Sequence, residues 1–493
     1  MSDCIVFNNV SFSYPKSAKN ALEDINLSVK EGEFFAVMGE NTAGKTTFCR
    51  LINGIIPHLS GGRLSGSVIA GGLNTKDVSV PELSHKVGMV LDDPDAQAFT
   101  STVFHEVAFG PENILLPRDE VKERVKFAVS AVGLDGFEDR MPATLSGGEK
   151  QRLSIAAALA MKGKIIVLDE PLCRLDPQGA QDVLSVIKKL KDEYHITVVM
   201  AAHESEKMAV HADRVCILKN GRIAACDSAE KIFDNNVLLE ENGIMPFKKF
   251  KNKYRGFADF NTDNEKSNTN NRHDPVIEIK DFSFFYPNGT GIENINLSIA
   301  KNDFTAIIGN NGCGKTTLLK NITGLLRPGK GDIYIHGKNN KNLECSDISK
   351  EIGFVMQNPD TQLFTDSVFN EVAFALKNMR LPKTEIKKRT EEALEITGLK
   401  DADAFPHALN RADRIKTVIA CVLAMGSKII IFDEVDAGND YNGNLRIMNI
   451  AGDLHSRGYT IIFVTHNMFL AEEYAHRLIK LERNGIVSDI RNS

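Results

Sequence analysis

Short, unbroken apolar runs recur along the chain, and polar segments with a helical pattern follow or precede them. Residues 34–38 (Phe-Phe-Ala-Val-Met) and 304–308 (Phe-Thr-Ala-Ile-Ile) each end in a glycine-rich turn, while residues 165–168 and 197–201 follow helical stretches. Buried strands that alternate with helices are typical of a largely parallel sheet. The pattern therefore predicts an α/β fold.

The same pattern occurs twice. Residues 11–15 (Ser-Phe-Ser-Tyr-Pro) return as residues 283–287, and residues 103–109 return as residues 368–374, about 270 residues later. Solenoid units repeat every 20–50 residues or so, which makes this spacing far too long for a solenoid. It indicates two homologous domains in tandem.

We expect a first domain in residues 1–243, a flexible linker in residues 244–274 and a second domain in residues 275–493. Residues 261–274 contain five Asn and no large apolar side chain, so they cannot offset the entropy lost on ordering. Residues 248–255 carry five Lys or Arg with two aromatic residues between them. This basic segment is either a contact for phosphates or lipid head groups or, as an isolated charge run more often is, a solvated linker.

Composition narrows the class of protein. Apolar residues make up 42% and charged residues 25% of the chain, and the formal charge is −6, so no global positive field attracts nucleic acid. The apolar runs are far shorter than the roughly 20 residues that cross a bilayer, and no secretion signal opens the chain. The eight cysteines form no Cys-x-x-Cys pair, which argues for reduced thiols in the cytoplasm and against a disulfide frame or zinc site.

Two segments, residues 39–46 and 309–316, match G-x-x-x-x-G-K-[ST] between an apolar strand and a helix. The glycines let backbone N–H groups surround the β-phosphate, the lysine reaches the β and γ oxygens, and the threonine hydroxyl ligates Mg²⁺. Cys313 lies inside the second loop, where a small side chain is needed. This requirement explains the cysteine better than a redox role does. The candidate nucleotide-binding residues are Gly39, Asn41, Gly44, Lys45, Thr46 and Thr47 in the first loop and Gly309, Asn310, Asn311, Gly312, Cys313, Gly314, Lys315, Thr316 and Thr317 in the second.

Each half also contains an apolar strand that ends in Asp-Glu and a later strand that ends in a histidine. We expect the aspartate to hold Mg²⁺ through water, the glutamate to polarise the attacking water and the histidine to hydrogen-bond the γ-phosphate. The candidate catalytic residues are therefore Glu170, His203, Glu434 and His466, and the candidate metal ligands are Asp169 and Asp433 with Thr46 and Thr316.

Residues 145–152 (Leu-Ser-Gly-Gly-Glu-Lys-Gln-Arg) lead straight into a helical segment. Ser146, Gly147 and Gly148 at a helix start form an anion nest, suited to a γ-phosphate presented from outside. With this element the chain resembles the ATP-binding cassette (ABC) ATPases over nearly its whole length outside the linker.

The ABC resemblance implies two tandem P-loop NTPase domains, each with a RecA-like core and a helical signature subdomain, and it implies ATP hydrolysis with ATP and Mg²⁺ as cofactors. It also implies that Tyr14 and Tyr286 stack on adenine, although ordinary packing explains two isolated tyrosines equally well. In the family, two domains pair head to tail, so that the phosphate loop of one faces the signature of the other.

The two halves depart unequally from the family pattern. Where the family has a glutamine that senses magnesium and water, the second half has Gln357 but the first has Asp92. The signature of the first half corresponds to residues 409–413 (Leu-Asn-Arg-Ala-Asp), which lack the serine and both glycines. The loop at residues 436–440 departs as well. Under head-to-tail pairing, all these losses fall on one composite site.

We therefore predict one competent ATP site and one damaged site. The competent site consists of Lys315, Thr316, Gln357, Asp433, Glu434 and His466 with Ser146, Gly147 and Gly148. The damaged site binds nucleotide and hydrolyses it slowly or not at all. It consists of Lys45, Thr46, Asp169, Glu170 and His203 with Arg411. Residual turnover stays open, since Glu170 and His203 remain and Arg411 can contact a phosphate. The alternative is neutral drift with both sites active.

Residues 357–364 (Gln-Asn-Pro-Asp-Thr-Gln-Leu-Phe) and 107–113 (Val-Ala-Phe-Gly-Pro-Glu-Asn) look like those of the ATPase components of energy-coupling factor (ECF) transporters. This resemblance implies import of a vitamin or a metal ion, with a transmembrane coupling protein and a substrate-binding membrane protein as partners and no direct nucleic-acid contact. The chain is then peripheral, at the cytoplasmic face of the cell membrane. The alternatives are a soluble tandem ABC ATPase that acts on ribosomes or nucleic acid, and a nucleotide-regulated scaffold without useful turnover.

Overall fold

The computed structural model describes residues 2–491 except residues 18, 174, 204, 247–274 and 484. In that part of the chain, one compact unit spans residues 2–246, and a second contains residues 275–439 and 443–491. The basic segment at residues 248–255 and almost all of the expected linker lie outside the described residues, so the domain boundaries stay a prediction.

The first unit alternates strands and helices. Its strands are β1 (Asp3–Ser13), β2 (Leu22–Lys30), β3 (Phe34–Met38), β4 (Arg63–Ala70), β5 (Leu73–Asn74), β6 (Val87–Val90), β7 (Ile165–Asp169), β8 (Thr197–Ala201), β9 (Arg214–Lys219) and β10 (Arg222–Ser228). Its helices are α1 (Lys45–Ile52), α2 (Ile55–His58), α3 (Val80–Ser84), α4 (Pro94–Gln97), α5 (Val103–Asn113), α6 (Arg118–Ala131), α7 (Gly147–Ala160), α8 (Pro177–Tyr194), α9 (Ser205–His211), α10 (Ala229–Asp234) and α11 (Asn236–Glu241).

The second unit repeats this order. Its strands are β11 (Pro275–Phe285), β12 (Gly291–Ala300), β13 (Phe304–Ile308), β14 (Lys330–Ile335), β15 (Lys338–Asn339), β16 (Ile352–Val355), β17 (Ile429–Asp433), β18 (Thr460–Val464), β19 (Arg477–Glu482) and β20 (Gly485–Arg491). Its helices are α12 (Lys315–Ile322), α13 (Cys345–Glu351), α14 (Val368–Asn378), α15 (Lys383–Thr397), α16 (Arg411–Met425), α17 (Tyr441–Ser456) and α18 (Met468–Tyr474).

Each unit contains two sheets. The strand order β10-β9-β3-β8-β7-β6 gives a six-stranded sheet whose neighbours are parallel except for the edge strand β10, and the second unit has the equivalent order β20-β19-β13-β18-β17-β16. This confirms the predicted parallel sheet. The sequence pattern did not predict the four-stranded antiparallel sheets β2-β1-β4-β5 and β12-β11-β14-β15, because their strands show only a broken alternation of buried and exposed positions.

The parallel sheet is covered on both faces. Phe34, Ala36 and Met38 pack into the cluster formed with the helices, while Phe35 and Val37 pack into the cluster shared with the antiparallel sheet and α1. A strand buried on both faces needs a continuous apolar run, which is the run seen in the sequence. Because β3, β8 and β7 are parallel neighbours, their carboxyl ends lie at one edge of the sheet, where the polar residues after them come together.

Candidate functional site

The phosphate loops connect β3 to α1 and β13 to α12. Gly39 has φ +146°, and a Cβ there would lie 2.2 Å from the carbonyl oxygen of Leu218. Gly309 has φ +158°, and a Cβ would lie 2.3 Å from the carbonyl oxygen of Leu481. Only glycine fits so close to a neighbouring strand, so each loop begins tightly against the sheet.

Each phosphate-loop lysine is buried inside its own loop. Nζ of Lys45 donates to the carbonyl oxygens of residues 39 and 40, both at 3.1 Å, and lies 3.3 Å from Oε1 of Glu170. Nζ of Lys315 donates to the carbonyl oxygens of residues 309 and 310 at 2.8 and 3.3 Å and lies 3.4 Å from Oε1 of Glu434. The structure thus joins the two sequence motifs, phosphate loop and acidic strand, through one ammonium group.

A threonine and an aspartate meet beside each lysine. Oγ1 of Thr46 donates to Oδ1 of Asp169 at 3.2 Å, and Oγ1 of Thr316 donates to Oδ1 of Asp433 at the same distance. The pKa of both aspartates is raised to about 6, mainly by burial, and the charge of the adjacent glutamate contributes in each unit. A buried carboxylate beside a hydroxyl group offers the hard oxygen ligands that Mg²⁺ prefers, and the cation would offset the buried charge. The residues fit the metal.

Each catalytic-candidate glutamate faces a histidine. Oε1 of Glu170 lies 2.9 Å from Nε2 of His203, and Oε1 of Glu434 lies 3.1 Å from Nε2 of His466. Burial by itself would raise the pKa of Glu170, but His203 and then Lys45 outweigh it and lower the pKa to about 2. The equivalent partners lower the pKa of Glu434. Both glutamates are therefore ionised acceptors at neutral pH.

The two units differ at the glutamine position. Nε2 of Gln357 donates to Oε2 of Glu434 at 3.0 Å. In the first unit Asp92 stands at this position, and its charge is one of the causes that raise the pKa of Asp169. A carboxylate has no N–H group to donate, so the first unit replaces a hydrogen-bond donor with a third acid.

The signature segments both begin a helix. Oγ of Ser146 accepts from the backbone N–H of Glu149 at 3.3 Å, while Oε2 of Glu149 accepts from the N–H of Ser146 at 2.7 Å, so Gly147 and Gly148 lie in a capped first turn of α7. In the second unit, Asn410 caps α16 by accepting from the N–H of Asp413 at 2.9 Å.

The structure therefore refines the expectation for residues 409–413, the counterpart of the signature. The capped start of the helix is kept, whereas the two glycines are replaced by Arg411 and Ala412. Nη2 of Arg411 donates to the carbonyl oxygen of Gln357 at 2.7 Å. The arginine thus serves a contact within its own unit, whereas the sequence had suggested only a phosphate contact for it.

The candidate adenine residues lie beside the phosphate-loop helices. The hydroxyl oxygen of Tyr14 is 3.1 Å from Oγ1 of Thr47, and that of Tyr286 is 3.4 Å from Oγ1 of Thr317. These contacts place both tyrosines next to their loops, and adenine stacking stays a prediction.

Sequence reasoning missed two acidic residues inside the repeated segments. Oε2 of Glu106 accepts from the backbone N–H groups of Phe99 and Thr100 at 3.1 and 3.0 Å. Oε2 of Glu371 accepts from those of Phe364 and residue 365 at 2.9 and 2.7 Å. The glutamate was present in both copies of the repeat, and its retention amid apolar neighbours was the available signal.

A family model described as "ABC transporter" matches residues 22–173 and 292–437. The chain belongs to the ABC transporter family. It is an ABC ATPase with two tandem ABC domains, and it binds and hydrolyses ATP as these domains do.

Curated relatives of this ABC ATPase match nearly its whole length. Two of them carry the name "Putative ABC transporter ATP-binding protein". The one from Caldanaerobacter subterraneus subsp. tengcongensis is 35% identical and covers 99% of this chain and 92% of its own. The one from Methanosarcina acetivorans is 35% identical and covers 97% of this chain and 84% of its own.

A solved structure, cbiO1 from Clostridium perfringens, is described as part of the ABC transporter complex cbiONQ. It is 30% identical and covers 49% of this chain and 94% of its own, with a TM-score of 0.44. Within the described residues of this ABC ATPase, none of the helices combines the length and hydrophobicity that crossing a membrane requires.

Proposed function

We propose that this protein is the ATP-hydrolysing subunit of an ECF-type importer of a vitamin or a metal ion. It docks, at the cytoplasmic face of the membrane, on a transmembrane coupling protein that works with a substrate-binding membrane protein. One observation carries the proposal: each unit exposes an aromatic pair 7 and 17 residues after the glutamine position. One member of each pair, Phe364 and Phe109, lies in the segments whose sequence resembles the ECF ATPases.

The aromatic pairs have the same geometry in both units. The rings of Phe99 and Phe109 meet edge to face with centroids 4.8 Å apart, and their side chains are 67% and 45% exposed. Phe364 and Phe374 meet in the same way at 4.7 Å and are 63% and 42% exposed. Exposed aromatic groups are enriched where proteins bind partners, and apolar helices of a membrane protein suit such a surface.

The pair is presented by a braced loop. The buried carboxylate of Glu371 accepts hydrogen bonds from the backbone N–H groups of Phe364 and Thr365. Gln362 bridges the loop, since its Oε1 accepts from the N–H of Met356 at 2.8 Å and its Nε2 donates to the carbonyl oxygen of Phe354 at 2.9 Å. The exposed ring of Phe364 and the side chain of Gln357 thus lie on one loop whose backbone is held by Gln362 and Glu371.

The same loop is tied to the signature helix of its own unit. Arg414 lies in α16, and its Nη1 donates to both carboxylate oxygens of Asp360, at 2.8 and 2.9 Å. In the first unit, Nζ of Lys150, in α7, lies 2.6 Å from Oδ1 of Asp95. A membrane partner on the aromatic pair thus contacts a surface linked by hydrogen bonds to both nucleotide-sensing elements.

The chemistry follows from the residues of the second unit. Ionised Glu434, held by His466 and Gln357, orients and polarises a water, and Lys315 binds the phosphates. Mg²⁺, held by Thr316 and Asp433, would neutralise charge on the phosphate oxygens when bound. Of the two units, the second has the more complete set of hydrogen-bond donors.

A pull-down from detergent-solubilised membranes tests the proposal. The bait is the full chain, in wild-type form and with Phe99→Ser and Phe364→Ser combined. The matched control is Val237→Ser, since Val237 is also 65% exposed but lies on α11. We expect the wild type and the control to retain a multi-span membrane protein and the double variant to lose it, with ATPase activity unchanged in all three.

Recovery of ribosomal proteins or nucleic acid instead would favour the soluble alternative. A membrane partner that binds the double variant as tightly as the wild type would disprove the docking role of the aromatic pairs. ATP hydrolysis that depends on Glu434 excludes the scaffold without turnover.

A further inference from the structure

Arg214 opens strand β9, and its side chain reaches strand β10. Its Nη1 donates to Oε1 of Glu33 at 3.1 Å, and its Nη2 donates to Sγ of Cys226 at 3.4 Å. A guanidinium group is always charged and prefers an anionic acceptor. The sulfur of Cys226 therefore occupies the position of an anion.

In the second unit a carboxylate fills the equivalent position. Arg477 opens β19 and donates through Nε and Nη2 to the two carboxylate oxygens of Asp489 at 2.8 and 2.6 Å. Asp489 lies opposite the residue two positions after Arg477. Cys226 lies opposite Cys216, two positions after Arg214. Cys226 is thus the counterpart of a carboxylate.

Cys216 and Cys226 are directly opposite each other in the antiparallel pair β9–β10. Opposite residues in such a pair have Cα atoms about 4.5–5.5 Å apart, within the roughly 4.4–6.8 Å of disulfides, and their side chains share one face. The two thiols lie close enough to influence each other's acidity. Cys216 is fully buried and Cys226 is partly exposed at the sheet edge. The thiol of Cys226 is therefore accessible to solvent, and the thiol of Cys216 lies next to it in the interior.

The two thiols differ in acidity. The neighbouring thiol of Cys216, followed by the charge of Arg214, lowers the pKa of Cys226 to about 7 against the opposing effect of burial. The neighbouring thiol of Cys226 and burial raise the pKa of Cys216 well above its ordinary value. Of the two thiols, Cys226 is therefore the one that ionises first and supplies the nucleophilic thiolate, while Cys216 keeps its proton.

We propose that Cys226 and Cys216 form a peroxide-reactive dithiol, in which a hydroperoxide oxidises Cys226 and Cys216 then closes a cross-strand disulfide. The Cys226 thiolate attacks one peroxide oxygen, so an S–O bond forms, the O–O bond breaks, and the second oxygen leaves as water or alcohol after taking a proton. Sγ of Cys216 then attacks Sγ of Cys226. The S–S bond forms, the S–O bond breaks, and the hydroxyl group leaves as water with the proton of Cys216.

The disulfide would lie close to the first phosphate loop. Cys216 pairs with Val37 on β3, the strand that runs into Gly39. In the second unit the counterparts of Cys216 and Cys226 are Ile479 and Asp489, so this pair of thiols belongs to the first unit. The site goes beyond the proposed transport function and does not depend on it.

The test oxidises the reduced full chain with hydrogen peroxide at pH 7, then alkylates remaining thiols with iodoacetamide under denaturing conditions and maps them by peptide mass spectrometry. We expect a linked peptide pair joining Cys216 to Cys226 that dithiothreitol separates. The exposed thiol of Cys345 is the internal reference, and we expect Cys226 to react about threefold faster or more.

Two variants sharpen the result. Cys216→Ser should stop at the sulfenic acid of Cys226, which dimedone traps. Cys226→Asp copies the arginine–carboxylate pair of the second unit, so it should fold and leave Cys216 fully alkylated after peroxide. Oxidation of Cys345 while Cys216 and Cys226 both stay reduced would overturn the proposal, as would the absence of a dimedone adduct on Cys226 in the Cys216→Ser variant.

Discussion

At the residue scale, the two aspartates proposed to hold Mg²⁺ carry an electrostatic cost, because burial disfavours their ionised form. Asp433 is 3% exposed and accepts a hydrogen bond from the neutral hydroxyl of Thr316, while Lys315 is engaged with Glu434. Its pKa is therefore raised to about 6 from an ordinary 3.8, with burial as the main cause. Binding Mg²⁺ requires the ionised carboxylate of Asp433, whereas burial in the folded protein favours the protonated carboxyl group.

This conflict predicts a pH-dependent gain in stability for Asp433→Asn. A carboxyl group whose pKa is raised by folding costs nothing while protonated, and the cost grows as the pH rises from about 4 to about 6 and is constant above. Without Mg²⁺ and nucleotide, we expect the Asn variant to be more stable than the wild type by about 2–3 kcal/mol at pH 8. Thermal unfolding midpoints between pH 4 and 8 measure the difference.

The difference should shrink below pH 6 and nearly vanish near pH 4. Asp401→Asn, at an exposed position, is the control and should change the midpoint little at any pH. A stability gain for Asp433→Asn that does not vary with pH would contradict the assignment of a raised pKa.

At the element scale, the loop between β16 and α14 contains one 3-10 turn (Pro359–Thr361), and buried side chains hold the rest of it in place. Glu371, on α14, is 3% exposed and accepts from the N–H groups of Phe364 and Thr365. The first unit repeats the arrangement with Glu106. A buried charge that is satisfied by backbone donors fixes the exposed aromatic group at the loop tip.

We therefore expect Glu371→Gln to loosen this loop. The neutral amide is a weaker acceptor and adds buried N–H groups, so the loss of stability should be about 1–3 kcal/mol. Amide hydrogen exchange at residues 364 and 365 should accelerate more than at the strands of the parallel sheet. Glu385→Gln, which removes an exposed partner of Arg389, is the control, and an unchanged exchange rate in the Glu371 variant would show that the anchor is dispensable.

At the scale of the whole molecule, duplication has produced two units with the same architecture and different chemistry. The second unit keeps Gln357 as a donor to Glu434. The first unit has Asp92 at that position and keeps the intact signature capped by Ser146. Each unit has thus preserved a different part of the ATPase apparatus, and head-to-tail completion of one site by both stays a prediction.

The inequality predicts unequal losses of ATPase activity. Glu434→Gln should lower steady-state turnover at least about tenfold, since a general base contributes 10²–10⁴-fold or so. Glu170→Gln should leave most of the activity. Both variants should still bind ATP, because Lys45 and Lys315 are unchanged. Equal losses in the two variants would remove the asymmetry and favour two working sites.

Local patterns along the chain were enough to predict the phosphate loops, the acidic strand ends and the parallel sheet. Residues 39–46 and 165–170 are contiguous motifs, so each can be recognised from a short stretch of sequence. Each stands at the carboxyl end of an apolar strand, which places both motifs at the same edge of a parallel sheet. The sequence also showed the lost signature at residues 409–413, but not that Asn410 would keep the helix cap or that Arg411 would turn to Gln357.

By itself, therefore, the sequence determined the duplication, the α/β class and the family, and it predicted the residues that bind phosphate. Only the tertiary structure decided which distant side chains share an environment: the buried anchor of Glu371, and the thiol of Cys226 against Arg214 and Cys216. The reason is physical. A motif is specified by neighbours along the chain, whereas the pKa and reactivity of a side chain depend on strand register and burial, which exist only once the chain has folded.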